Sequence, residues 1–212
     1  MTRWILCLCA VIFLSMAPVA AEIHVLALSG SLRSDSYNKK LALHAAELAK
    51  QMGATVTVID LKDYPMPFYD GDLEKEQGMP ENARKLRALL RNNQAIIIAS
   101  PNYNGSISGV LKNALDWASR GENGGESLEP LKGKPFALMS TSAGKKGGSK
   151  GLPHLRQIVE KLGGIVVPTL ASIPFAASYF SDRERPENPQ LKQEIHELLE
   201  WAQNLPLCTE GS

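Results

Sequence analysis

Ser100-Pro-Asn-Tyr-Asn-Gly-Ser-Ile-Ser-Gly-Val-Leu-Lys-Asn-Ala-Leu-Asp-Trp-Ala-Ser-Arg120 follows directly on the apolar run Ala95-Ile-Ile-Ile-Ala99. The run reads as a strand, and the segment from Gly109 reads as a helix burying Val110, Leu111, Ala114 and Leu115. Strand, polar loop and helix in that order place the loop at the carboxyl end of a parallel sheet, where such folds bind ligands. A plain strand-to-helix turn needs only about two to six residues. This loop is longer, and it sets the planar Tyr103 between Asn102 and Asn104. That composition suits a flat heteroaromatic ligand with polar edges. Trp117, at helical spacing, reads as core.

Outward from this segment the pattern repeats. Short, nearly continuous apolar runs over Ile23–Leu28, Thr55–Ile59, Ala95–Ala99, Phe136–Ser140 and Ile165–Val167 read as parallel strands covered on both faces. Between them lie helical stripes: Leu41, Ala45, Leu48 and Met52; Ala83, Leu86, Leu89 and Leu90; Leu152, Leu155, Val159 and Leu162; and Leu191, Ile195, Leu198, Leu199 and Ala202. Alternating strands and helices imply right-handed crossovers and a doubly wound sheet. Five strands point to an α/β, flavodoxin-like three-layer sandwich with a parallel sheet in the order 2-1-3-4-5. Two stretches, Asp63–Gly78 and Gly121–Gly133, read as long surface loops, the first flanking the site.

Composition narrows the function. The chain has 212 residues, 44% apolar and 21% charged, enough for one domain with a sizeable core. A net charge of +1 lacks the basic excess of a nucleic-acid binder. The four histidines, His24, His44, His154 and His196, are scattered without metal-ligand spacing. Cys7, Cys9 and Cys208 give the folded part no disulfide framework.

Residues 1–21 carry Arg3, an apolar stretch Ile5–Leu14 and small residues before Glu22, the pattern of a secretory signal peptide. The competing reading is a mis-called start, with translation beginning at Met16. Asn104-Gly105-Ser106 is a glycosylation sequon inside the candidate site, and there is no twin arginine for export of a folded chain. These features favour a cytoplasmic protein, with export as the alternative. The domain is expected over 22–206 and a tail over 207–212, with no membrane span in the mature chain.

Two further loops carry chemistry. Gly30-Ser-Leu-Arg-Ser-Asp-Ser-Tyr-Asn38 links strand one to helix one. A helix N-terminus attracts phosphate, and Ser31, Arg33, Ser36 and Asn38 supply donors. An ordinary capped turn has much the same composition. The loop contains neither G-x-G-x-x-G nor a nucleoside-triphosphate motif. Ser140-Thr-Ser-Ala-Gly-Lys-Lys-Gly-Gly148 follows strand four and lets backbone approach a ligand closely. In the expected strand order all three loops converge on one crevice.

Together, Gly30-Ser-Leu-Arg-x-x-Ser-x-Asn38, Ser100-Pro-x-Tyr-Asn104 with Gly109-x-Leu-Lys-Asn-Ala-x-Asp-Trp117, and Ser140-x-Ser-x-Gly-x-x-Gly-Gly148 resemble the NADPH-dependent FMN reductase family, which includes bacterial quinone and chromate reductases and azoreductases. The resemblance spans about residues 23–205. It implies noncovalent FMN, NADPH or NADH as co-substrate, a quinone or similar small-molecule acceptor, and a homodimer or homotetramer. Carried over by position, Ser31, Arg33, Ser36 and Asn38 would hold the phosphate. Pro101, Asn102, Tyr103 and Asn104 would line the ring and ribityl chain. Ser140, Ser142 and Gly144 would close the other side. Leu111–Trp117 would serve packing and subunit contact. No side chain need act as nucleophile or general base, since the chemistry belongs to the flavin. Family members usually have Glu in place of Asn102 and Pro in place of Ser108; the second change is expected to cost only loop rigidity. A flavodoxin-type carrier without turnover is the main alternative. The first loop lacks that class's Thr/Ser-x-Thr-Gly-x-Thr pattern, and the chain lacks an acidic docking surface. A non-catalytic, export-adapted homologue is a third reading.

Overall fold

A computed structural model describes residues 22–181 and 187–205. The proposed leader with Cys7 and Cys9, and the proposed tail with Cys208, lie outside the described residues. Strands β1 (His24–Ser29), β2 (Thr55–Asp60), β3 (Ala95–Ala99), β4 (Pro135–Thr141) and β5 (Ile165–Val166) form a parallel sheet in the order β2-β1-β3-β4-β5. A further two-residue strand, β6 (Ser172–Ile173), pairs with the end of β4. This strand was not expected from sequence, and β5 is shorter than the apolar run Ile165–Val167 suggested. β6 takes over the pairing of β4 where β5 stops.

Alternation across each strand divides the core into two layers. Val25, Ala27, Ile97, Ala137 and Met139 face helices α1 (Tyr37–Gln51) and α7 (Pro189–Asn204). Leu26, Leu28, Ile96, Ile98, Phe136 and Leu138 face α3 (Glu81–Arg91), α4 (Gly109–Ala118) and α5 (Leu152–Lys161). β1, β3 and β4 are buried on both faces because helices cover both sides. β2 is not: it is an edge strand with Val58 exposed, contrary to the fully covered strand expected there. Truncating Ile97, fully buried mid-sheet, to Ala should cost about 2–5 kcal/mol.

Both expected surface loops are more structured than their composition indicated. Asp63–Gly78 contains helix α2 (Gly71–Gln77). It is stapled to α4: Pro67 O accepts from Asn113 Nδ2 (2.9 Å) and Trp117 Nε1 (2.8 Å), while Asn113 Oδ1 accepts from Tyr69 N (2.8 Å). Trp117 is fully buried, as its helical spacing indicated. Val110 is only half-buried, because it packs at the margin of the α3–α4 layer. In Gly121–Gly133, Leu131 is core and Arg87 donates from beneath to Ala118 O and Ser127 O. A void of about 10 Å³ between sheet, α3 and α4 is lined wholly by apolar side chains and holds no chemistry.

Candidate functional site

The loops after β1, β3 and β4 meet at the carboxyl edge of the sheet. Gly30 N–H donates to Ala99 O (3.0 Å), so the first loop leaves β1 against β3. A Cβ at Gly30 would lie 3.0 Å from Leu111 Cβ and 3.2 Å from Ser108 Oγ, tighter than ordinary contact, so α4 would have to give way. Ser108 caps α4, its Oγ accepting from Leu111 N (3.3 Å) while donating to Gly30 O. The expectation that Ser108 merely loosens this loop is therefore corrected: its hydroxyl joins two loops that a proline would leave unjoined.

Ser31 is buried, and its Oγ accepts from Arg33 N (3.3 Å). Ser36 stands at the N-cap of α1 in an extended conformation (φ −66°, ψ 126°) yet makes no side-chain capping bond. A buried N-cap serine whose hydroxyl does not serve its own helix is free to serve a ligand. Arg33 is turned outward, its guanidinium 3.2 Å from Asp35, and both side chains are largely exposed. That hydrogen bond and charge hold the Asp35 carboxyl below its ordinary range.

Asn38 departs from the expected phosphate-holding role. Its Nδ2 donates to Thr141 O and its Oδ1 accepts from Thr141 N, each at 3.0 Å, across 103 positions of chain. The amide thus replaces a strand neighbour for the end of β4 and locks the first loop to the third.

In the second loop Pro101 is buried, and Asn102 projects toward the cleft with its Oδ1 buried and unpartnered. Tyr103 and Ser106 exchange backbone bonds (2.9 and 3.0 Å) around Asn104 (φ 53°) and Gly105 (φ 87°). These are the angles of a type I′ turn, for which Asn-Gly is a strong signal. Tyr103 and Asn104 therefore sit at an exposed turn tip rather than on the cleft wall. Ser106 Oγ lies 2.7 Å from His154 Nδ1 on α5, a pairing no sequence spacing foretold.

In the third loop Ser140 Oγ is buried and unpartnered beneath Gly148, where an added Cβ would collide with it. Gly144 faces open space. A cleft of about 410 Å³ is lined by Asn102, Ser142, Gly144, Gly148 and the lysines 145, 146 and 150. Its volume suits a ligand of cofactor size. Lysines 145, 146 and 150 stand exposed around it and no carboxylate lines it, so nothing there repels a ligand that carries negative charge. Asn102, Ser142 and Gly144 are thus brought together, with Ser140 underneath and the first loop tied alongside through Asn38. Among the described residues no cluster of His, Cys, Asp and Glu could hold a metal, and no helix is long and apolar enough to cross a membrane.

A parallel sheet in this order, with the loops after β1, β3 and β4 meeting at its carboxyl edge, defines a flavodoxin-like protein. The sequence profile of the NADPH-dependent FMN reductase family matches residues 23–178, and the chain belongs to that family. It is 34% identical over 152 residues to a quinone reductase of Escherichia coli K12, covering 70% of this chain and 76% of that one. It is 39% identical over 136 residues to an NAD(P)H-dependent FMN reductase of Pseudomonas aeruginosa, covering 64% and 69%. Among solved structures, a flavoenzyme NAD(P)H:(acceptor) oxidoreductase from Paracoccus denitrificans superposes with a TM-score of 0.71 at 27% identity, covering 86% of this chain and 98% of that one.

Proposed function

We propose that this protein is an NAD(P)H-dependent FMN oxidoreductase whose acceptor is a quinone or a similar small molecule. The observation that carries the reading is the pair of orphaned polar atoms, Asn102 Oδ1 and Ser140 Oγ, beside a glycine-walled cleft. Buried polar atoms without partners are costly, and a flat ligand whose edge sets carbonyl acceptors beside an N–H donor satisfies both, the Asn102 amide oxygen accepting and the Ser140 hydroxyl donating. FMN has such an edge and a phosphate at its other end. The chemistry supplied by a bound FMN is two-electron transfer from NADPH or NADH to the acceptor.

The protein's part is binding and orientation. Ser31 and Ser36 would meet the phosphate at the N-terminus of α1, whose unpaired N–H groups and dipole favour an anion. Arg33 would join them by exchanging Asp35 for the phosphate. Asn38 acts as the joint between loops. Asn102, Ser140, Ser142 and Gly144 would hold the polar ring edge, with Pro101 behind them. Tyr103 and Asn104 would reach the ligand from the turn tip. One face of the ring must stay open, since donor and acceptor need close stacking on it.

The named relatives and the near-neutral net charge support an enzyme rather than an electron carrier. We extend the proposal to a homodimer or homotetramer, as the family resemblance implies. A need for NAD(P)H supports the cytoplasm, and a native N-terminus at Met16 or Ala17 would agree, whereas Glu22 would indicate export. The direct test is steady oxidation of NADPH or NADH by the FMN-loaded protein with a quinone panel. Failure to oxidise either nucleotide, with a stable one-electron state on photoreduction, would leave a carrier.

A further inference from the structure

Phe175 is the residue at which this chain most clearly breaks a local rule. It stands at the N-cap of the short helix α6 (Ala176–Tyr179) with φ 50° and ψ 48°, the left-handed region. N-caps normally take extended backbone and carry a short polar side chain, and a bulky residue in the left-handed region is an outlier. Glycine or asparagine would hold this position at lower cost. The residue is nonetheless 57% exposed, where burial returns little.

The backbone around it is held from several sides. Phe175 N donates to Gly144 O (3.4 Å) and Ala176 N to Ser142 O (3.0 Å). Thr141 Oγ1 donates to Ile173 O (2.8 Å), and Ser172 Oγ to Lys146 O (2.9 Å). Beyond it, Phe180 stacks on Tyr37 of α1 at 6.0 Å between ring centroids. The backbone at Phe175 is therefore fixed against the two residues, Ser142 and Gly144, that line the cleft from the third loop. Strained residues of this kind persist where the surroundings over-determine them, and they cluster at ligand clamps.

Building on the function proposed above, we propose that Phe175 is a specificity-determining platform at the cleft mouth, on which a planar aromatic acceptor of the quinone class stacks. The strain sets where the ring stands, and the exposure leaves a face for the ligand.

The test compares Phe175→Gly, which removes ring and strain together, with Phe175→Ala, which removes the ring and keeps the strain. On the FMN-loaded protein, calorimetric binding of 1,4-naphthoquinone to the oxidised enzyme should weaken about threefold to tenfold in both variants, the scale of one lost aromatic contact. The KM for naphthoquinone should rise in parallel, with a smaller change for ferricyanide, which has no ring to stack. The Gly variant should melt no lower than wild type, and higher than the Ala variant. Unchanged naphthoquinone binding would overturn the inference. So would a lower melting temperature for the Gly variant, which would make the ring part of the fold. Altered assembly on size-exclusion chromatography would make it a subunit contact and overturn it equally. A wild-type protein that retains no FMN would instead sink the proposed function itself.

Discussion

Replacing Asn38 with Ala should destabilise the FMN-free protein. The side chain makes two hydrogen bonds to Thr141, both buried and both 3.0 Å long. Truncation strands the N–H and C=O of a residue that is 2% exposed. Each stranded group costs about 1–3 kcal/mol, so a total of about 2–4 kcal/mol allows for partial access of water to the space left behind. For a domain of this size that corresponds to a fall in Tm of about 4–16 °C. Urea unfolding of the apoprotein measures it directly. Asn38→Asp keeps an acceptor for Thr141 N–H but sets a carboxylate against Thr141 O. Its folded-state pKa should be raised, so its stability should be full below the unfolded pKa of about 3.9 and fall as pH rises. Had Asn38 been a phosphate ligand alone, the Ala variant would lose FMN affinity while its apoprotein unfolded as wild type does. An apoprotein change under about 0.5 kcal/mol would refute the assignment of Asn38 as the joint between loops.

Three further outcomes follow from other sites. Glu194 is fully buried on α7, with one oxygen bonded to Ala171 N (2.8 Å) and the other unpartnered, and burial holds its carboxyl well above the ordinary 4.5. A raised folded-state pKa gives stability that is complete below 4.5 and lost as pH rises through the folded value. Glu194→Gln should therefore match wild type near pH 4 and gain on it by up to about 1.4 kcal/mol per pH unit above that, and urea midpoints that diverge the other way would contradict this. Ser36→Ala should leave apoprotein stability within about 0.5 kcal/mol, because no cap is lost, while weakening FMN about tenfold; unchanged affinity by fluorescence titration would remove Ser36 from the site. Gly147→Ala places a Cβ within 2.6–2.8 Å of Ser172 Oγ and the Ile173 backbone at φ 55°, and should cost about 2–4 kcal/mol by the same unfolding assay, with a neutral variant showing that the loop can yield.

The strands that carry the site were legible because burial on both faces leaves an uninterrupted apolar run, as in Ala95-Ile-Ile-Ile-Ala99. β6 was not, since Ser172–Ile173 is two residues long and exists only through its pairing with β4. α2 reads as loop in the sequence although Asp70, accepting from Asp72 N, marks its start; the Tyr, Pro and Met stretch ahead of it takes its order from Asn113 and Trp117 on another element. Ser36 at the start of α1 and the glycine-rich third loop beside the cleft could be located from local rules, because helix ends and close backbone approach leave local marks. Asn38 could not be assigned a partner, because an asparagine amide serves a ligand or a distant backbone equally well. The Ser106–His154 pair joins residues 48 positions apart. Asn104-Gly105 did carry a visible type I′ signal, which explains why Tyr103 and Asn104 stand at a turn tip. The strain at Phe175 has no counterpart in the sequence, where Pro174-Phe175 reads as ordinary loop.

In the proposed site three loops act together, with the phosphate on the first and the ring between the second and third. Fluorescence titration of the apoprotein with FMN and, separately, with riboflavin tests it most directly. One FMN per chain should bind with its fluorescence altered, and riboflavin, lacking the phosphate, should bind at least about tenfold more weakly. Equal affinity for the two would contradict the phosphate site, and no binding of either would contradict the account as a whole.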